Sequence, residues 1–156
     1  MKHPAKPLSV LLALLFLVSV FAPHTALSET SDLELEMFRL VNEDRARYGK
    51  SALTLDPELS DIARIKARDM LENGYFAHTS PTYGNMRTML RTFGVSFSAA
   101  SENIARSRSI YHAEAAFLSS STGHRQTLLG ASWTKVGIGI AVTPQGFVYV
   151  SQVFAR

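Results

Sequence analysis

A chain of 156 residues, 46% hydrophobic and 19% charged, has the size and composition of one globular domain, and no compositional shift marks a second. Of its net charge of +3, two units belong to Lys2 and Lys6, so residues 29–156 carry +1, with no basic block of the kind that binds nucleic acid. Cysteine is absent, which excludes disulfides, a thiol nucleophile and a lipid-modified cysteine anchor.

The first 28 residues read as a leader. Lys2 and Lys6 precede an apolar run from Leu8 to Phe21, and the small-residue pattern Ala26-Leu27-Ser28 sits ahead of Glu29. This predicts a secretory signal peptide over 1–28, cleaved after Ser28, and a single domain over 29–156. The apolar run is shorter than a spanning helix usually needs, so no membrane span is expected after cleavage. The expected location is secreted, or extracellular. A domain of about 128 residues can bury a core without disulfides.

From Ser31 the sequence signals a first helix. Ser31 or Asp32 can cap it, and Glu34 follows Ser31 at capping-box spacing. Leu33, Met37, Leu40 and Val41 form its buried stripe, and Gly49 is its stop. Leu53 and Leu55 then make a short extended link. Asp56 and Pro57 open a second helix as cap and first-turn proline. Leu59, Ile62, Ala63, Lys66, Ala67 and Met70 trace one face of it. Asp61, Arg64, Arg68 and Glu72 fall on the remainder, read as solvated charge. Gly74 ends this helix, and Tyr75-Phe76-Ala77-His78-Thr79-Ser80-Pro81 follows as a tight, proline-stopped turn.

Met86, Met89, Leu90 and Phe93 predict a third, short helix between Gly84 and Gly94. Val95-Ser96-Phe97 reads as a short extended segment leading towards Glu102, and residues 105–109 as polar loop with Arg106 and Arg108 at the surface. A fourth helix is expected from Tyr111 to Ser119, breaking at a serine-rich stretch in which Gly123 frees the backbone before His124. Leu128 and Leu129 bury a short helical turn. Val136, Ile138, Ile140 and Val142 alternate with small residues as a strand, and Phe147 to Phe154 forms a second across a Thr143–Gly146 turn. This antiparallel hairpin is expected at the sheet centre. Helices first and strands late give the α+β class.

His78, Glu102 and His124 are the residues with chemistry to offer. Two imidazoles and a carboxylate make a metal or acid–base constellation, although spacing alone does not bring three separate loops together. The competing reading of His78 is a helix-end histidine bonded to a nearby carbonyl. No Gly-x-Ser-x-Gly elbow is present, and Ser120, inside Ser119-Ser120-Ser121, reads more readily as a helix end than as a nucleophile.

The order and wording of six segments carry a resemblance. They are Val41-Asn42-Glu43-Asp44-Arg45, Ala52 to Leu59, Phe76-Ala77-His78, Ser101-Glu102-Asn103-Ile104-Ala105, Ser120 to Arg125, and Trp133 to Gly139. Together they resemble the CAP superfamily of cysteine-rich secretory, antigen 5 and pathogenesis-related proteins, and within it the bacterial SCP-like extracellular branch. The resemblance runs from about Leu33 to Phe154. It implies a three-layer α-β-α sandwich with a central antiparallel sheet, and structural roles for Asn42 and Arg45. It also implies a central cleft to which His78, Glu102 and His124 carry over, with Ser120 and Asn103 as accessory residues. Many members place two histidines and two acids there, and some hold a divalent metal such as zinc. Here Ser120 stands where the second acid would be, three residues after Phe117, and Glu114 lies about 240° round the helix from it. With only His78, His124 and Glu102 as metal ligands, weak binding is expected.

Three functions remain open at this stage. The first is a secreted, non-enzymatic binding module for a lipid, a glycan or another cell-wall component. The second is a metal-assisted hydrolase of peptide or wall polymers, and the third a structural module of the envelope or spore coat. The first is favoured over an enzyme, because the His/Glu cluster is present while a catalytic set is incomplete.

Overall fold

The alternation of Val136, Ile138 and Ile140 with Gly137, Gly139 and Ala141 decides how the layers assemble. The computed structural model of the protein describes residues 24–156. Most of the expected leader lies outside them, and the cleavage point after Ser28 falls inside the first helix, α1 (His24–Arg47). The remaining elements are β1 (Thr54–Leu55), α2 (Pro57–Glu72), α3 (Met86–Thr92), β2 (Ala100–Ser107), α4 (Ile110–Ser119), α5 (His124–Leu128), β3 (Lys135–Val142) and β4 (Val148–Ala155).

The sheet order is β1-β3-β4-β2, so the C-terminal hairpin does occupy the centre. β3, β4 and β2 are antiparallel, and the two-residue β1 adds to β3 in parallel. Both faces are covered. On one, Met37 and Val41 of α1, Ile110, Ala113 and Phe117 of α4, and Leu128 of α5 pack on Val136, Ile138, Ile140, Val150 and Phe154. On the other, α2 and α3 pack on Ala100, Ile104, Val153 and Ala155. The class is α+β in three layers.

The glycine side of β3 is where α2 lies. A Cβ at Gly137 would stand 2.2 Å from the Leu59 carbonyl carbon, and one at Gly139 would stand 2.0 Å from that of Ala63. The helix backbone therefore rests directly on the strand, which only glycine permits. Asp56 caps α2 as expected, accepting from the Leu59 N–H at 3.0 Å, and holds Lys135 of β3 at 3.0 Å. Beyond the short β1, the free edge of β3 is satisfied by side chains. Ser60 Oγ accepts from Ile138 N at 3.3 Å and Glu34 Oε1 from Ile140 N at 3.3 Å.

Three expectations change. Ser31 is not a helix start, because α1 already runs from His24. Glu34, instead of closing a capping box, is buried and receives Arg64 at 2.7 Å. Arg64 is accordingly an interlayer ion pair rather than bland solvated charge. The third change is the largest. Residues 100–107 are an eight-residue strand, where an extended segment at 95–97 and a polar loop at 105–109 were expected. β2 is an edge strand carrying Ser101, Glu102, Asn103, Arg106 and Ser107, so its apolar alternation is hidden by polar groups that serve the site. Arg106 also departs from a plain surface role, stacking its guanidinium over Phe147 and Tyr149.

Asn42 and Arg45 are structural, as the resemblance implied. Asn42 exchanges two hydrogen bonds with the Leu53 backbone, at 2.8 and 3.1 Å. Arg45 is wholly buried and donates to the carbonyls of Ser51, Leu128 and Gly130 at 2.9, 2.7 and 3.0 Å. Burial lowers its pKa from the ordinary arginine value.

The close α2–β3 approach sets a test. Gly139→Val should destabilise the domain by about 3 kcal/mol or more, the upper end for overpacking, because backbone rather than a flexible side chain must yield. Val142→Ala, at an exposed strand end, should cost far less. Urea denaturation of both variants checks the contrast.

Candidate functional site at the edge of the sheet

His78 owes its position to a buried lysine. Lys66, on the apolar face of α2 and wholly inaccessible, donates to the Ala77 carbonyl at 2.7 Å and to Tyr75 Oη at 3.1 Å. Tyr75 in turn donates to Asp69, and burial with that bond pushes its pKa up to about 12. Ser80 closes the turn by accepting from the N–H groups of Thr82 and Tyr83 at 3.0 and 2.8 Å. His78 is thereby held from both sides. Burial lowers the pKa of Lys66 from the usual lysine value, while the charges of Glu102 and Asp69 oppose the change.

β2 presents Glu102 towards the α2–α3 layer, and His78 Nδ1 meets its Oε1 at 3.0 Å. The carboxylate is 6% exposed and the imidazole 55%. His124 opens α5 behind Gly123, whose φ of 77° is a left-handed conformation that favours glycine. Its ring stands edge-on to Phe117 at 5.4 Å and 6.4 Å from the His78 ring, centroid to centroid. Asn103 points to the other face of β2 and donates to the His124 carbonyl at 3.1 Å. Ser101 and Thr127 join β2 to α5 at 3.1 Å. The outcome is an open cleft of about 500 Å³ at the β2 edge, lined by His78, Arg87, Ser101, Glu102, His124 and Thr127.

The structure thus brings His78, Glu102, His124 and Asn103 to one place, but on a strand, a turn and a helix start rather than on three loops. Ser120 does not join them. It ends α4, and its hydroxyl donates to the Thr122 carbonyl at 3.2 Å and accepts from the Thr122 N–H at 3.1 Å. Glu114 faces the core, as its helical phase requires. A second hollow of about 540 Å³ lies beside the Glu34–Arg64 pair and contains no histidine. Both histidines and Glu102 line the hollow at the β2 edge, so that cleft is the candidate site.

The metal expectation does not fit this arrangement. Among the described residues no three His, Asp or Glu groups are placed to hold a metal ion. The His78 Nδ1 and Glu102 Oε1 atoms engage each other, and His124 turns its ring towards Phe117. His78 and Glu102 join the turn after α2 to β2, and the His124 ring lies alongside, 6.4 Å from that of His78.

The match to the family model for the cysteine-rich secretory protein family spans residues 38–154. The chain belongs to the CAP family. This CAP chain is 36% identical to YkwD of Bacillus subtilis (strain 168) over 132 residues, 85% of its own length and 51% of that protein's. An extracellular SCP-domain protein of Bacillus anthracis superposes with a TM-score of 0.79 at 31% identity, covering 86% of this chain and 44% of that one. An outer surface protein of Borrelia burgdorferi shares the fold, at a TM-score of 0.75 and 20% identity over 81% of this chain and 94% of its own. The chain spans about half the length of its Bacillus relatives. Its CAP domain is of the bacterial, cysteine-free type.

Sequence reasoning missed Lys66 as a site-building residue, although a lysine on an otherwise apolar stripe was the available signal. It also missed Gln152, inside a strand read as apolar, which accepts from Asn103 Nδ2 at 3.3 Å.

The two imidazoles should separate on titration. The hydrogen bond that His78 donates to Glu102 raises the His78 pKa above the ordinary histidine value, against burial, whereas burial and then the His78 charge lower that of His124. The His78–Glu102 contribution to stability is therefore present at acid pH and lost as pH rises through the elevated His78 value. In an NMR titration of the ring protons His78 should titrate at higher pH than His124. Glu102→Gln should bring the two midpoints closer, and unchanged midpoints would contradict the hydrogen bond.

Proposed function

We propose that this CAP domain is a secreted, non-enzymatic binding module whose β2-edge cleft takes a hydroxyl-rich fragment of the bacterial cell wall. The observation that carries this reading is the cleft lining. Arg87, Ser101, Thr127 and the two imidazoles offer donors and acceptors along an open groove, the chemistry that recognises a glycan. A lipid tail would need enclosing apolar walls, and the apolar side chains in this lining are only Met86 and Ala100. A metal-assisted hydrolase receives no support, because the ligand set does not converge. Export is supported by the leader pattern and by the relative in Bacillus anthracis, which is itself an extracellular protein. No described helix is long and apolar enough to cross a membrane.

The test is a chemical-shift titration of residues 29–156 with muramidase-solubilised peptidoglycan fragments, beside phosphatidylglycerol vesicles. Shifts confined to Arg87, Ser101, Thr127 and the two histidines, weakened tenfold or so by Arg87→Ala, are expected from fragments alone. That loss corresponds to about 1.4 kcal/mol, the size of one good polar contact. Mass spectrometry of the recovered fragments should show them uncut. Cleaved fragments, or binding of vesicles in their place, would overturn the reading.

A further inference from the structure

A chain of hydrogen bonds runs from the interior of the domain to the cleft, and its inner end is a carboxyl group that the site itself does not use. Glu114 of α4 is 3% exposed. Its Oε2 accepts from Gln152 Nε2 of β4 at 2.6 Å. Gln152 Oε1 accepts from Asn103 Nδ2 of β2 at 3.3 Å, and the same amide donates to the His124 carbonyl at 3.1 Å. The second N–H of Gln152 points at Met37 Sδ, 3.3 Å away. We infer that Glu114 is a positioning residue for the cleft, holding the start of α5, and with it His124, through Gln152 and Asn103.

The bookkeeping of donors explains why a carboxyl belongs there. All four amide hydrogens of Gln152 and Asn103 are committed, while Glu114 Oε1 and Asn103 Oδ1 are buried acceptors with no donor among the described residues. The network is short of hydrogens, and a proton on Glu114 removes the negative charge that Oε1 otherwise holds with no donor. Burial pushes the Glu114 pKa up to about 7, helped by the charge of Asp44 and opposed by the Gln152 bond. No cation among the described residues offsets this. Arg45 of α1 is committed to the Ser51, Leu128 and Gly130 carbonyls, and Arg39 to Glu36 and Glu43 at the surface. Arg125 of α5 donates to the Leu118 carbonyl. β4 brings no charged residue, and β2 turns Glu102 and Arg106 to the other face of the sheet. Around neutrality Glu114 therefore changes charge, and the bond it receives from Gln152 changes strength with it. The order of the segment bearing His124 follows.

Because the folded-state value lies above the unfolded one, the proton favours the folded state fully below about 4.5, and this benefit is lost as pH rises through about 7. The inference rests on His124 belonging to the proposed cleft, but its test needs no ligand, so the two can fail separately. The experiment follows the Glu114 side-chain carboxyl ¹³C and the His124 backbone carbonyl ¹³C together through pH 5 to 9. In the wild-type chain both should show a step with one shared midpoint near 7. Glu114→Gln, near-isosteric and permanently neutral, should remove that step from the His124 carbonyl while leaving the ring titrations of His78 and His124 in place. Gln152→Met should leave Glu114 titrating yet abolish its echo at His124. Should that variant not fold, Asn103→Ala cuts the chain one bond later. A His124 carbonyl step that survives Glu114→Gln, or a Glu114 carboxyl that titrates in the ordinary carboxylate range, overturns the inference.

Discussion

The contact on which the rest depends is the one between α2 and the glycines of β3. With no side chain at Gly137 or Gly139, the helix lies on the strand at backbone distance. That fixes the height and direction of α2 over the sheet. Its C-terminal end then delivers the Tyr75–Pro81 turn to the β2 edge, and the turn carries His78 to Glu102. A helix displaced outwards by ordinary side chains would carry that turn away from the strand. The cleft is thus a consequence of layer spacing before it is a matter of polar chemistry.

Polar groups placed inside the core do the finer positioning. A buried ammonium costs several kcal/mol unless bonded, and Lys66 offsets that cost through the Ala77 carbonyl and the Tyr75 hydroxyl. Those two partners flank the residues just before His78. Arg45 does the same on the opposite face, gathering the carbonyls of Leu128 and Gly130 at the end of α5. Asn103 holds the other end of that helix, at the His124 carbonyl. The turn bearing His78 and the helix bearing His124 are each tied to an interior donor, in a chain with no cysteine for disulfides.

Electrostatically the cleft is a set of unequal partners. Glu102 is nearly enclosed, and His78, half in solvent, is its hydrogen-bond partner. Because burial and then the His78 charge lower the pKa of His124, while the bond to Glu102 raises that of His78, the two imidazoles take up protons in sequence rather than together. A cleft of this kind changes charge in two separate steps. It suits recognition of a polar ligand better than capture of a metal, for which both rings would have to turn their nitrogens to one point.

Much of the architecture was legible from local pattern. Asp56-Pro57 marked the start of α2, the period of Leu59 to Met70 gave its buried face, and the alternation from Val136 to Ile140 gave a central strand. These signals are strong because each element buries one regular face. The same logic failed at β2, an edge strand with a single neighbour whose outward residues are polar for the sake of the cleft. Sequence motifs named His78, Glu102 and His124 as a group, and the sequence alone determined the residue types, the α+β class and the absence of disulfides. Only the tertiary structure decided that His78 bonds Glu102, that His124 faces Phe117, and that Ser120 turns away into its own loop. It also decided that Lys66, Gln152 and Glu114 reach the site from within. Those relations depend on how far apart the layers sit and which way side chains leave a strand, and no local period along the chain records either.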